Sequence, residues 1–236
     1  MPRTMVPGSG RWGSNLMHDV QEREAAEADP SRGTSQPPTS ALARTERLCE
    51  RHIPALVVLH GALLGYSLNA RLGSRHLEKL YRETASSSTG MVTVALLGSE
   101  VVGGVSATVD SREQLRQMLR KTPGSEMLRM VLRAAFLPQC WASILETFGH
   151  ETLPTHHDQP IRGELTSIVV SLSCQRKGVG RALVEAVDGF FRSRGVAVYR
   201  LETRMANASS QAFYRRLGFT ECGTRGRNIV FVRKLA

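Results

Sequence analysis

Gln175-Arg176-Lys177-Gly178-Val179-Gly180-Arg181 lies between a β-rich run, Glu164 to Val170 (ELTSIVV), and an amphipathic run, Gly178 to Arg194. The reading of this stretch decides the fold. Gly178 and Gly180 let the backbone turn tightly and leave no side chain in the way. The first amides of the following helix then point unpaired at whatever lies before them. Free N–H groups and the helix dipole together favour an anion such as a pyrophosphate. Arg176, Lys177 and Arg181 add positive charge at the same place. By itself a Gly-x-Gly after a strand also fits an ordinary tight turn, so the flanking segments carry the rest of the reading.

Downstream, the helical run turns Val179, Leu183, Val184, Val187 and Phe190 or Phe191 to one face. Val196 to Thr203 (VAVYRLET) reads as a strand and Asn207 to Leu217 as a helix capped by Asn207. Phe219–Cys222 and Ile229–Val232 read as a closing pair of strands. Strand, helix, strand, helix, strand, strand describes an α/β layer structure.

Upstream, Arg44 to Glu50 is a candidate first strand and Ile53 to Leu64 an apolar helix. Ser74 to Glu83 carries Leu77, Leu80 and Tyr81 at helical spacing. Met91–Leu97 and Val101–Val109 form a hairpin about Gly98-Ser99-Glu100. From Asp110 to Pro160 no sheet pattern is legible. A connection of this length is far above the usual ~4–6 residues, so it reads as a helical insertion before the central strand, shaped as a lid or substrate wall. Ser111 to Gln114 fits a capping box opening a short helix, and Glu126 to Phe148 a second helix, interrupted near Pro138.

Residues 1–42 are rich in Gly, Pro, Ser, Arg and Glu and read as a disordered tail, with the folded domain over 43–236. The tail holds four basic and five acidic residues, so about +11 of the formal net charge of +10 rests on the remainder. Such a surface attracts polyanions, but no nucleic-acid motif accompanies it, and no specific nucleic-acid partner is expected. No apolar stretch reaches the ~18–20 residues of a membrane span and no secretory signal is legible, which points to the cytoplasm. Cys49, Cys140, Cys174 and Cys222 have no metal-knuckle or redox spacing. His150, His156 and His157 stand near Glu151 and Asp158 without diagnostic ligand spacing, so they read as a polar loop and no metal is assigned.

The 175–181 run, taken with its surroundings, resembles the GNAT superfamily of acyl-coenzyme A dependent N-acetyltransferases. Gln175, Gly178 and Gly180 fit its signature of Arg or Gln, two residues, Gly, one residue, then Gly or Ala. Leu165–Val170 looks like the superfamily's central strand, and Asn207-Ala-Ser-Ser-Gln-Ala-Phe-Tyr-Arg-Arg-Leu-Gly-Phe219 like its second signature. The match is strong over 164–219, the acyl-coenzyme A core. It departs at Ser171-Leu172, where members commonly have Asp-Pro. The resemblance implies a mixed, mostly antiparallel central sheet flanked by helices. It implies acetyl-coenzyme A as the acyl donor, held by Ile168, Val169, Val170, Gln175, Arg176, Lys177, Gly178, Val179, Gly180, Arg181 and Asn207. A homodimer is a further implication.

Acetyl transfer from a thioester to an amine needs a neutral amine, a stabilised oxyanion and a protonated leaving thiolate. Tyr214, which the resemblance places by the cofactor sulfur, is the candidate acid; its alternative is packing with Phe213 and Leu217. Glu202 is the candidate base, as in the family's ribosomal-protein alanine acetyltransferases; its alternative is an ion pair with Arg200 or Arg204. Glu164 stands at the start of the central strand and can take the base role or orient the amine; its alternative is a solvated strand-end carboxylate. The insertion favours a small-molecule amine as acceptor, ahead of a protein amino group, with a non-catalytic acyl-coenzyme A binding module as the other reading.

Overall fold

The computed structural model describes residues 43–121, 124, 155–156 and 159–235. The tail, the Glu126–Phe148 helix and His150, Glu151, His157 and Asp158 lie outside the described residues.

In chain order the elements are β1 (Arg44–Arg47), a 3-10 turn at Glu50–His52, α1 (Ile53–Leu63), α2 (Leu68–Arg71), α3 (Ser74–Ser86), β2 (Gly90–Leu97), β3 (Glu100–Thr108) and α4 (Ser111–Lys121). They continue with β4 (Thr155–His156), β5 (Gln159–Pro160), β6 (Glu164–Val170), α5 (Val179–Ser193), β7 (Val198–Arg204), α6 (Ala208–Arg216), β8 (Thr220–Arg225) and β9 (Asn228–Lys234). Seven strands form one sheet in the order β1-β2-β3-β6-β7-β9-β8. Every neighbouring pair is antiparallel except β6 and β7. The expected α/β architecture, with a mixed and mostly antiparallel sheet flanked by helices, is the observed one.

Alternating strand residues feed two cores, one on each sheet face. Val92, Val94 and Leu96 of β2 pack with Ile53, Leu56 and Val57 of α1 and with Leu77 and Tyr81 of α3. Pro54 stands in the first turn of α1, where a missing N–H costs nothing. On the other face Val179, Leu183, Val184, Val187 and Phe191 of α5 meet Val102, Val105, Leu165, Leu201 and Phe231. Phe191, fully buried, is the inward member of the Phe190–Phe191 pair.

The absence of a side chain at Gly104 lets α1 lie directly on β3. A Cβ there would stand 2.4 Å from Leu56 Cδ1, inside a core where Leu56 has no exposed surface. Gly104→Ala is expected to destabilise the fold by about 1–3 kcal/mol through overpacking. The check is a lowered urea midpoint at unchanged slope.

One local expectation is corrected. The helix at 111 is capped by Asp110, whose Oδ1 accepts from the amides of Arg112 and Glu113 at 3.0 Å each. Ser111 is thus the first helical residue, and Gln114 turns inward to donate to Thr84 Oγ1 at 2.6 Å. A one-residue shift in the cap defeats the capping-box reading. The loop after β6 contains a 3-10 turn, Leu172–Cys174, with Leu172 outward at 75% exposure.

Candidate functional site

The parallel pair β6/β7 holds register only at Glu164↔Arg200 and Leu165↔Leu201. Beyond these two pairs the strands part. Their divergence opens a cleft of about 850 Å³. Thr166, Ser167, Ile168 and Val170 line one wall and Glu202, Thr203 and Arg204 the other. A bulge in the β3–β6 ladder leaves Thr166 unmatched, because Ser106 pairs with Ser167 and Ala107 with Leu165. Bulges of this kind re-aim side chains beside functional sites.

At the wide end stands the 175–181 run. Gly178 caps α5 at φ 84° with no side-chain cap, which leaves the first amides of the helix open. Arg176 adopts φ 59°, a left-handed conformation that non-glycine residues seldom hold. Gln175, Arg176, Gly178, Gly180 and Arg181 all line the cleft. Gly180 lacks a side chain for a packing reason as well: a Cβ there would lie 3.0 Å from Phe213 Cζ. Gln175 also ties the loop together, its Nε2 donating to the carbonyl of Val170 at 3.1 Å. Free amides, the cationic side chains of Arg176 and Arg181 and an uncluttered backbone fit a phosphorylated donor.

The other sequence-derived contacts divide. Asn207 caps α6, its Oδ1 accepting from Ser210 N at 3.0 Å, and it lines the cleft. Val169 and Val179 are buried in the two cores and offer a ligand only backbone. Lys177 is exposed and does not line the cleft.

Tyr214 unites both readings of it. Its ring packs against Phe213, Phe219 and Phe231 at centroid distances of 5.3, 5.5 and 5.9 Å, yet it reaches the cleft wall. Burial, with the neighbouring Tyr66 adding, pushes the phenol well above its ordinary value.

The narrow end is an ion network. Arg200, buried, donates to Glu164 Oε2 at 2.5 Å and to Glu202 Oε1 at 2.8 Å. Glu202 Oε1 also accepts from Arg225 at 3.1 Å and its Oε2 from Asn228 Nδ2 at 3.2 Å. Glu202 is therefore paired with Arg200, as its alternative reading had it, and linked to β8 and β9 as well. Burial raises the proton affinity of Glu164, with Arg200 opposing and Glu202 adding.

Sequence reasoning missed Arg225, Asn228 and Tyr66 at this site, and named Arg200 only as an alternative ion-pair partner of Glu202. Tyr66, in the loop before α2, lines the cleft 41% exposed, with the guanidinium of Arg204 5.4 Å from its ring centroid. The strand alternation of β7 puts Arg200 on the face of Glu202, which is why that pairing was legible.

Known proteins share this fold. The profile described as "Acetyltransferase (GNAT) family" matches residues 66–219. The [ribosomal protein bS18]-alanine N-acetyltransferase of Escherichia coli K12 is 44% identical over 61 residues, which is 26% of this chain and 41% of that protein. The Salmonella typhimurium protein of the same name is 41% identical over the same length. The chain thus spans about two-fifths of the length of these curated relatives. Among solved structures, PaiA N-acetyltransferase from Thermoplasma acidophilum in complex with coenzyme A superposes with TM-score 0.53 at 11% identity, covering 81% of this chain and 98% of that one. Ribosomal-protein-alanine N-acetyltransferase from Brucella melitensis does so with TM-score 0.50 at 22% identity, covering 81% and 99%. At these identities the superpositions speak for the fold.

Proposed function

Because the chain belongs to the GNAT acetyltransferase family, whose members take their acyl group from acetyl-coenzyme A, we propose that it acetylates the α-amine of a peptide or protein. The observation that carries the proposal is the cleft between β6 and β7, with an anion-binding turn at its wide end, Tyr214 on its wall and Glu164 at its apex. The acceptor class is supported by the names of the relatives that match at 44% and 41% identity. A small-molecule amine is the second reading, favoured by the long connection between β3 and β6, which is of a length to wall off a pocket.

In the proposed reaction the amine nitrogen attacks the thioester carbonyl and the carbon–sulfur bond breaks. Tyr214 gives its phenolic proton to the departing sulfur, and the proton that the acceptor nitrogen loses as the amide forms restores the phenol. The open amides of α5, with Arg176 and Arg181, hold the donor's phosphates. Gln175 and Asn207 border the same space.

Glu202, engaged by Arg200, Arg225 and Asn228, is proposed as the organiser of the network rather than as a free base. Glu164 is proposed to draw in and orient the acceptor's ammonium. Its proton affinity is raised by burial, so its negative charge disappears on acidification above the ordinary carboxylate range. The acceptor's KM is expected to rise as pH falls through that raised value, at constant KM for acetyl-coenzyme A. Glu164→Gln is expected to show the higher acceptor KM at every pH. An acceptor KM of Glu164→Gln equal to that of the wild type would remove Glu164 from the acceptor site.

The test of function is thiol release from acetyl-coenzyme A by the full chain with a panel of amines, including an alanine-first peptide, spermidine and free lysine. Turnover is expected with the peptide. Turnover confined to a small amine would select the second reading. Acetyl-coenzyme A binding without turnover on any amine would leave a binding module, and no binding by calorimetry would overturn the proposal.

A further inference from the structure

The two faces of the sheet divide the chemistry of the cleft. Leu201 of β7 packs into the core beneath α5, the helix whose open amides stand at the wide end. Strand alternation turns Arg200, Glu202 and Arg204 to the opposite face. That face is covered by α1 and α3, and the loop leaving α1 carries Tyr66 to the cleft wall. Glu164, proposed above to orient the acceptor's ammonium, meets Arg200 on the same side.

The cations of this face differ in one respect. Arg200 is engaged by Glu164 and Glu202, and Arg225 by Glu202. Arg204, half-buried on the cleft wall, has no carboxylate partner among the described residues; its guanidinium stands over the Tyr66 ring, 5.4 Å from the centroid. A ring face attracts the charge yet takes up few of the five N–H donors. Both members of this stack are held in place. Gln211 Nε2 donates to the carbonyl of Arg204 at 3.2 Å. Ser67, next to Tyr66, caps α2 by accepting from Ala70 N at 3.2 Å. Its Oγ lies 3.3 Å from Nε2 of the buried His60, whose Nδ1 lies 2.6 Å from Tyr81 Oη. The loop is thus tied to the core, which a single helical turn could not achieve by itself.

We propose that Arg204, steadied on Tyr66, reads a carboxylate of the acceptor, so that the acceptor peptide carries an acidic side chain shortly after its first residue. The inference rests on the peptide-acetylating reading above and names the substrate class within it. Arg204 follows Arg200, the register partner of Glu164, by four strand residues, a rise of about 13 Å. An extended peptide with its ammonium at Glu164 covers that distance in about four residues, and the reach of both side chains shortens it. The acidic residue therefore belongs at positions two to four. Glu202, on the same face, is already engaged by Arg200, Arg225 and Asn228, so it does not cancel the charge of Arg204. A guanidinium forks to a carboxylate through two parallel N–H···O bonds, whereas a lysine at the same place would meet a like charge. Arg204 is a specificity-determining residue in this scheme, and His60 and Tyr81 are positioning residues for the loop that steadies it.

The test compares alanine-first peptides that differ only at position two, three or four, with aspartate, asparagine or lysine there. The reading is kcat/KM with acetyl-coenzyme A and the full chain. The wild type is expected to prefer aspartate over asparagine by about tenfold at one of these positions. In Arg204→Gln that preference is expected to vanish at constant KM for acetyl-coenzyme A, and in Arg204→Glu lysine is expected to overtake aspartate. Each ratio is taken within one preparation, so it does not depend on how much of a variant is folded. Equal rates with the aspartate and asparagine peptides in the wild type, or a preference that survives Arg204→Gln, would overturn the proposal. So would a raised KM for acetyl-coenzyme A in Arg204→Gln with the ratio unaltered, which would place Arg204 on the donor. A wild type that acetylates no peptide of the panel would overturn the peptide reading instead, so the two failures are distinguishable.

Discussion

Tyr214→Phe is expected to lower kcat by about a hundredfold, as loss of a positioned general acid does, with little change in the KM for acetyl-coenzyme A. The ring sits among Phe213, Phe219 and Phe231, and phenylalanine keeps those contacts. What disappears is the hydroxyl at the cleft wall. A thiol ordinarily titrates near ~8.5 and a phenol near ~10. Burial, together with Tyr66, raises Tyr214 further, so the phenol stays protonated until a thiolate charge develops beside it. A free acid of that weakness would be a poor donor in water. Inside the cleft the developing thiolate is equally short of solvent, which brings the two proton affinities back together. Thiol release at saturating acceptor measures the effect; unchanged turnover would return Tyr214 to a purely packing role.

Asp188→Ala is expected to destabilise the folded chain by about 3–5 kcal/mol, the usual effect of removing one partner of a buried ion pair. Asp188 lies on the inward face of α5 and is 3% exposed. Its carboxylate accepts from Tyr199 Oη at 2.7 Å and from Arg233, Nε to Oδ1 at 3.0 Å and Nη2 to Oδ2 at 2.7 Å. Arg233 also donates to the carbonyl of Leu217 at the end of α6, and its guanidinium lies 5.2 Å from the centroid of Phe219. One carboxylate therefore fastens α5 to β7 and β9, and through Arg233 fixes the turn from α6 into β8. Alanine leaves a partly buried guanidinium and a buried phenol without their acceptor. Tyr199→Phe, which removes a single hydrogen bond, should cost about 1 kcal/mol. A drop in melting midpoint of roughly 10 °C or more for Asp188→Ala is the expected reading. A loss no greater than that of Tyr199→Phe would show that Arg233 finds another partner.

The parts of the fold that were legible in the sequence are those where neighbours in sequence are neighbours in space. The strand ELTSIVV, the glycines at 178 and 180 and the Asn207 cap lie within one continuous stretch, so local pattern and local chemistry coincide. The ends of elements were legible to within a few residues. β1 stops at Arg47, where the strand was expected to reach Glu50, and β7 begins at Val198 rather than Val196. The four-residue helix α2 was missed, since one turn leaves no periodicity to read. Beyond the local pair of Arg200 and Glu202, the ion network was illegible for a different reason. Glu164, Arg225 and Asn228 join that pair only because β6, β7, β9 and β8 are neighbours in the sheet, an order that sequence spacing does not encode.

The short register of β6 and β7 has one more consequence. Past Leu165 and Leu201 each strand presents to the other a row of peptide groups that no strand receives. An open seam inside a sheet attracts any extended chain bearing amides, because strand addition needs only matched N–H and C=O spacing. An unrelated extended peptide is thus a competitor for the donor as well as a candidate acceptor. Inhibition by such a peptide, relieved by excess acetyl-coenzyme A, would show that molecular mimicry of a missing strand governs affinity at the seam as much as phosphate charge does.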